Sequence, residues 1–385
     1  MKRVQRWFRE FGRPPRVLGL DIARGLAILG MAGAHIGETG ALDLLDPSTW
    51  SALVHGRSSI LFAVLAGVSI ALMTGRTEPP APERVPGIRL NLVGRGAAIF
   101  LIGLGLEMLG TPIAVILTLY GLLYVAVIPF LRWRPWQLLT AAAALALLGP
   151  VLLALLTALT LHPYAEGIGF VLYGSYPITV WLAFVLGGMA LGRMRVADTA
   201  TALVTFGVGV GLMVVGYGLG LVGALAGVPT VVDGATWAPP SGWSGYPKAL
   251  SDADPVGSML AALFASEPHS GGTAEILGSG GFVLVVIALC LLLSRPLRWI
   301  LLPLGALGSM PLSAYTLHVV SVALIGGPGG FFQSNAFWGV TAVVLFVVAT
   351  VWSMFVGRGP LERLVGRAAT AMATPPRAAA AVPQE

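Results

Sequence analysis

Ten stretches of about twenty residues, nearly free of charge, limit what this chain can become. They run over 17–36, 57–75, 91–110, 112–131, 137–160, 176–192, 200–226, 276–294, 300–325 and 335–356. About twenty apolar residues in a helix cross the hydrocarbon core of a bilayer, and a helix satisfies its own backbone groups there. Only 10% of the 385 residues are charged, against about a quarter in a soluble domain. The chain is therefore predicted to be all-α, a polytopic integral membrane helical bundle of about ten transmembrane helices.

Charge orders the connections. Lys2, Arg3, Arg6, Arg9, Arg13 and Arg16 precede the first stretch. Every second connection is again basic, through Arg76, Arg84 and Arg89, then Arg132 and Arg134, Arg193 and Arg195, Arg295 and Arg298, and finally Arg358, Arg363, Arg367 and Arg377. The connections between these hold Arg57 and Lys248. Lys and Arg collect on the cytoplasmic side of membrane proteins. Both termini are therefore expected in the cytoplasm, in a multi-pass protein of the cell's inner membrane. The same distribution speaks for topology and against nucleic acid as a partner.

Residues 1–368 read as a single transmembrane domain. Its largest extracytoplasmic loop, 227–275 between helices 7 and 8, is dense in Pro and Gly. It is expected to form a lid with a short helix at 256–265 and little else. The Ala- and Pro-rich residues 369–385 are expected to form a disordered cytoplasmic tail. Basic residues, an apolar run and "AGA" at 32–34 imitate a signal peptide. Asp21 and Arg24 interrupt that run, so cleavage is not expected. The single cysteine, Cys290, excludes a disulfide within the chain and a cysteine-based metal site.

The first stretch, "LDIARGLAILGMAGAH" (20–35), carries an acid, a base and an imidazole. Asp21 and Arg24 are three residues apart and share a helix face. Arg24 and His35 are eleven apart, close to three turns, which sets them on one stripe about 16 Å apart. A charge at mid-membrane costs roughly 2.5–3.5 kcal/mol on insertion scales, so such residues are paired, functional or both. Asp21 and Arg24 can simply pair and pin the helix to its neighbours.

This stretch resembles the first-span signature of membrane acyltransferases. In the acyltransferase-three family an Arg and a His stand with ten residues between them, as Arg24 and His35 do, and that His is the proposed catalytic base. The wider chain is more similar to the bacterial YeiB-like family, related to heparan-alpha-glucosaminide N-acetyltransferase. "GRSSILFAVLAGVSIAL" (56–72), "EPHSGGTAEILGSGGF" (267–282), "GSMPLSAYTLHV" (308–319) and "GPLERL" (359–364) resemble its landmarks in order.

The resemblance implies transfer of an acyl group, acetyl first among them, from acetyl-CoA or another acyl-CoA as co-substrate. It implies His35 as base, with Arg24 holding the donor or stabilising developing charge beside Asp21. An outward-facing site suggests an envelope glycan or glycolipid as acceptor, with membrane lipids as surroundings. The heparan enzyme would place an Asn where His35 stands and a His in the following outer loop. Here that loop offers Asp46 and, further on, His55.

Further candidates come from side and depth. Tyr315 and His318 share a face near the depth of His35, where His318 can orient His35 or bind the acceptor. His269 in "EPHSGGT" would lie over the cavity mouth. Arg57 and Glu107 face outward, and Arg57 suits an anionic substrate or an ion pair. Arg89 and Arg95, with Arg84 nearby, suit the phosphates of coenzyme A or of lipid headgroups. His55 and His162 read as ordinary outer-face residues, and Tyr120 and Tyr124 as packing. No histidine spacing supports a metal site. Intramembrane charge suits a transporter or flippase for an envelope precursor equally well. A structural scaffold would explain the loop but not the cost of Asp21 and Arg24. Nothing in the sequence fixes an oligomeric state.

Overall fold

The computed structural model describes residues 2–38, 40, 42–43, 45–161, 166–173, 177–229 and 242–374. Among the described residues every regular element is helical. A basic amphipathic α1 (Lys2–Glu10) leads into α2 (Leu18–Ile36), which carries the polar stripe. Then follow α3 (Arg57–Met73), α4 (Val85–Glu107), α5 (Leu117–Ala126), α6 (Pro135–Thr160), α7 (Glu166–Leu172), α8 (Ile178–Gly192) and α9 (Thr199–Leu225). The large loop adds α10 (Tyr246–Asp252) and α11 (Pro255–Phe264). The chain continues through α12 (Thr273–Leu293), α13 (Arg298–Gly308), α14 (Pro311–Gly326), α15 (Asn335–Phe355) and α16 (Pro360–Ala373).

Each predicted apolar stretch is helical, but length and hydropathy do not qualify all of them alone. Among the described residues five segments are long and apolar enough to cross a membrane: Pro82–Glu107, Pro135–Thr160, Thr199–Leu225, Thr273–Leu293 and Asn335–Phe355. Two bent pairs raise the number to seven, Pro47–Val54 with Arg57–Met73 at 43° and α13 with α14 at 72°. α5 and α8, of 10 and 15 residues, are short of a bilayer's thickness by themselves. In α2 it is Asp21 and Arg24 that break the apolar run.

The expected span over 300–325 is thus broken in the middle. Met310 leaves the helical region (φ −136°, ψ 56°), and Pro311 starts α14 without an N–H to give. The freed donors are met from α16. Glu362 Oε1 accepts from Leu312 N at 2.8 Å and Ser313 N at 3.1 Å, and Ser313 Oγ donates to Glu362 Oε2. Leu361 N donates back to Ser313 Oγ at 3.1 Å. This is what "GPLERL" does in the fold. Pro150 inside α6 leaves the Ala146 carbonyl without its helical partner. The Thr273 hydroxyl of α12 supplies one at 2.9 Å.

Helices approach closely where small residues permit it. A Cβ on Gly67 of α3 would strike the Val185 carbonyl of α8, and one on Gly188 would strike that of Val64. In the same way a Cβ on Gly25 of α2 would strike the Leu304 carbonyl of α13, and one on Gly308 of α13 would strike the Asp21 carbonyl of α2. α2 ends up central, packed on α3, α12, α13, α14 and α15.

Arg193, at the end of α8, is only 3% exposed. Its guanidinium donates to Leu131 O at 2.7 Å, Arg76 O at 3.1 Å and Thr74 Oγ1 at 3.2 Å. It closes the end of α3 and the turn after α5, a task beyond the topological one that its sequence position suggests.

The large loop holds the expected helix as α11, which packs on α6 and α9, and adds α10. Residues 230–241, with Asp233 and Trp237, lie outside the described residues. The tail expected to be disordered from 369 starts as ordered helix. Val365 and Ala369 of α16 are buried, and Gly94 of α4 lies against Met372 and Ala368. Residues 375–385 lie outside the described residues.

Candidate active site

The polar stripe of α2 begins with a shared carboxylate. Asp21 is 3% exposed. Its Oδ1 accepts from Arg24 Nη1 at 2.6 Å, and its Oδ2 takes Arg16 Nε. Arg24 also donates through Nη2 to Ser69 Oγ of α3 at 3.0 Å. The expected Asp21–Arg24 pair forms, with Arg16 as a second partner. Two guanidinium groups on one carboxylate leave a net positive charge at this end of α2.

Arg24 and His35 open onto two different cavities. Arg24 lines one of about 140 Å³, with Ser69, Arg95, Tyr120, Tyr124 and Glu362 on its wall. His35 lines one of about 310 Å³, with His55, Ser58, Ser59, His269 and Tyr315. The two are stacked between the same elements. α2 gives Arg24 to the first and Met31 and His35 to the second. α3 gives Phe62 and Ser59, α14 gives Leu312 and Tyr315, and Leu117 and Ile116 face one cavity each. Tyr120 marks the waist between them. Its hydroxyl reaches the Ser59 carbonyl at 3.4 Å and its ring stands edge-on to Phe62.

Three histidines line the larger cavity, and with His318, buried behind His35, they form two pairs. His35 Nδ1 lies 3.2 Å from His318 Nε2, with the rings stacked at 5.4 Å. His318 is 1% exposed, and the Tyr315 ring stands edge-on to His35. His55 and His269 meet edge to face at 5.6 Å. His269 sits in the left-handed region (φ 66°), in a loop tied to the first turn of α12. There Glu275 accepts from His269 N and Gly271 N, each at 2.7 Å, and from Ser270 Oγ at 3.1 Å. Burial, and then the neighbouring His55, hold the His269 imidazole below its ordinary pKa, so it is neutral at pH 7.

His55 is therefore a wall of the cavity, not the ordinary outer-face residue expected of it. Asp46, the other outer-loop candidate, caps the 3₁₀ turn Pro47–Val54 through Ser48 N at 2.9 Å and is exposed. The Ser48 hydroxyl, followed by that backbone N–H, keeps its carboxyl below the ordinary range. It does not line the histidine cavity. Tyr120 and Tyr124, expected as packing, line the arginine cavity.

Two expected binding residues stand elsewhere. Arg57 donates through Nε to Tyr217 OH at 2.9 Å and lies over the Tyr217 and Phe282 rings. It lines an apolar groove with Leu29, Phe282 and Trp338, which shares Val54 and Ser58 with the histidine cavity. Ser58 lines both, whereas Arg57, about 100° round the helix from it, lines only the groove. Arg89 is exposed and does not line the arginine cavity, whereas Arg95 does. Six residues turn a helix through about 240°, so one face cannot hold both. Arg95 Nε is buried without a hydrogen-bond partner. Glu107 is exposed and accepts from Thr118 Oγ1 at 3.0 Å. His162 lies outside the described residues. Among the described residues no three His, Cys, Asp or Glu side chains are grouped to hold a metal ion.

Residues 16–207 match the family described as heparan-alpha-glucosaminide N-acetyltransferase, catalytic. The match contains Asp21, Arg24, His35, His55 and Arg95; His269, Tyr315, His318 and Glu362 lie beyond it. A comparison with curated proteins gives no match.

Proposed function

Since its residues 16–207 belong to the catalytic family of heparan-alpha-glucosaminide N-acetyltransferase, a family of acetyl-transferring membrane enzymes, we propose that this chain moves an acyl group across a membrane. The donor is a cytosolic acyl-CoA, acetyl-CoA first. The acceptor is a hydroxyl or amine of an envelope glycan or glycolipid on the other side. The chain is a multi-pass protein of the inner membrane with both termini in the cytoplasm, a reading supported by the alternation of arginine-rich and arginine-poor connections.

One observation carries this reading. An arginine-lined cavity and a histidine-lined cavity are stacked end to end on the same elements, separated by the Tyr120 waist. Arg24 and Arg95 suit the anionic donor. The thin pantetheine arm passes the waist when Tyr120 moves, and brings the thioester carbonyl to His35.

There the tautomers assign roles. Nδ1 of His35 is turned to His318, so Nε2 is the nitrogen left for substrate. For Nε2 to take a proton, Nδ1 must carry one and donate it to His318 Nε2. His35 then accepts the acceptor's proton as its oxygen or nitrogen attacks the carbonyl. The C–S bond breaks, and the His35 imidazolium gives that proton to the departing thiolate of coenzyme A, which leaves His35 neutral again. His318 fixes the His35 tautomer and steadies the imidazolium, as the third member of a triad does. An acyl-histidine intermediate would use the same nitrogen as nucleophile.

The test is incubation of the purified protein with labelled acetyl-CoA and an envelope extract. A labelled glycan or glycolipid is expected, and none with His35→Ala. A transporter or flippase would consume no thioester and give no product.

A further inference from the structure

At the end of α2 opposite His35, a cavity of about 540 Å³ lies between the start of α2, the start of α9 and the turn joining α12 to α13. It is larger than either cavity of the proposed site. Four guanidinium groups stand on its wall, those of Arg13, Arg16, Arg295 and Arg298. Among the described residues lining it Asp198 is the one carboxylate, and Asp21 stands behind Arg16.

The four arginines are not equally committed. Arg16 is held by Asp21. Arg298 donates to the Phe8 carbonyl at 3.0 Å and the Phe11 carbonyl at 2.8 Å, closing the end of α1. Arg13 and Arg295 are exposed, and Arg295 reaches the Ala197 carbonyl only at 3.4 Å. The lining also includes the apolar Val17, Leu291 and Leu292. At the rim the Trp299 ring is 64% exposed and faces Phe8 at 6.4 Å. Exposed aromatic rings beside basic residues mark the headgroup level of a membrane.

Basic and apolar side chains in one cavity suit an anion that carries a hydrocarbon chain. We propose that this cavity binds an anionic phospholipid, with its phosphodiester between Arg13 and Arg295 and its first acyl carbons against Val17 and Leu291. Basic pockets between transmembrane helices recognise lipid headgroups in this way. The proposal rests on the membrane placement of the bundle and not on acyl transfer, so failure of the acyl-transfer assay leaves it standing.

The experiment uses the full chain purified in neutral detergent. Phosphatidylglycerol, phosphatidylcholine, inorganic phosphate and coenzyme A are titrated separately, with retained ligand read by native mass spectrometry and affinity by thermal shift. Phosphatidylglycerol is expected to bind, less tightly as salt rises. Arg13→Gln and Arg295→Gln should each weaken it roughly fivefold, and about twenty-fivefold together, at ~1 kcal/mol per arginine. Arg132→Gln, at an exposed arginine that does not line the cavity, should change nothing. If the double variant does not fold, Arg295→Glu alone should abolish retention. Equal affinity for phosphatidylcholine, or affinity unchanged in the arginine variants, overturns the proposal. So does displacement of the lipid by coenzyme A or inorganic phosphate, which would make this a site for soluble phosphates.

Discussion

His35 and His318 come from opposite ends of the sequence, yet Nδ1 of one lies 3.2 Å from Nε2 of the other. Neither needs a carboxylate to fix its tautomer. His318 does not line the cavity and its Nδ1 is buried without a hydrogen-bond partner, so among the described residues no further relay stands behind the pair. His35→Ala should lower transfer by ~10²–10⁴ while leaving insertion, folding and donor binding intact. Full activity in this variant would sink the mechanism and move suspicion to His269. His318 is a positioning residue. His318→Leu should cut the rate and shift the pH profile. His318→Gln, whose amide oxygen can accept from Nδ1, should recover part of both. Identical profiles for Leu and Gln would assign His318 to packing alone.

Arg95 and Arg89 separate donor binding from charge bias. Arg95→Ala should weaken coenzyme A about tenfold, the value of one charge-assisted hydrogen bond. Arg89→Ala should leave affinity unchanged, because Arg89 does not reach the cavity. Isothermal titration at two salt concentrations checks both, and equal losses would mean a diffuse field and no site.

Asp21→Ala leaves Arg24 without its carboxylate, in a helix packed on five others. Removing one partner of a buried ion pair costs on the order of 3 kcal/mol. Thermal unfolding in detergent should show that loss. Arg24→Lys should insert and fold, but bind donor less well, because an ammonium cannot fork between Asp21 and Ser69.

Arg193→Ala should be among the most destabilising changes in the chain. It strips the donors from the Leu131, Arg76 and Thr74 oxygens together. The expected cost is about 3 kcal/mol, with partial recovery in Arg193→Lys, which keeps three donors. A melting temperature within a degree of the wild type would show that water replaces the guanidinium.

The His269 loop should weaken in acid. Its folded pKa lies below the ordinary value of 6.5 because of burial and His55. Above that value both folded and unfolded forms are neutral, and the full stability is present. As pH falls below it, the unfolded form binds the proton first, and stability is lost progressively down to the folded pKa. His269→Asn tolerates the left-handed backbone and removes the titration. Melting curves between pH 8 and 5 should show a shallower decline for the variant, and parallel curves would assign the acid sensitivity to other groups.

The helices were legible because lipid makes apolar length nearly sufficient for recognition, and the stripe because charge there is costly. The break at Met310 was not legible, since a proline at a helix start and one inside a helix look alike until Glu362 is seen capping the first. His318 was readable as a candidate from its depth and from the face it shares with Tyr315. His55 read as an ordinary outer-face residue, because its meeting with His269 depends on a loop folded back by Glu275. Arg57 and Arg89 were misplaced by the same cause. Side of the membrane follows from charge, but the face of a helix follows from phase, and one residue of phase turns a side chain into another groove.

The Tyr120–Ser59 contact has an electrical consequence. In the orientation proposed above, arginine and histidine cavities joined without it would form a wet conduit across the bilayer, with titratable groups along it. Protons would leak down their gradient whenever the donor was absent. Tyr120 stands at that junction with its ring and hydroxyl, and under the proposed orientation its closed position would keep the resting protein an insulator. Replacing Tyr120 with Ala should therefore uncouple proteoliposomes carrying a pH gradient, whatever it does to turnover.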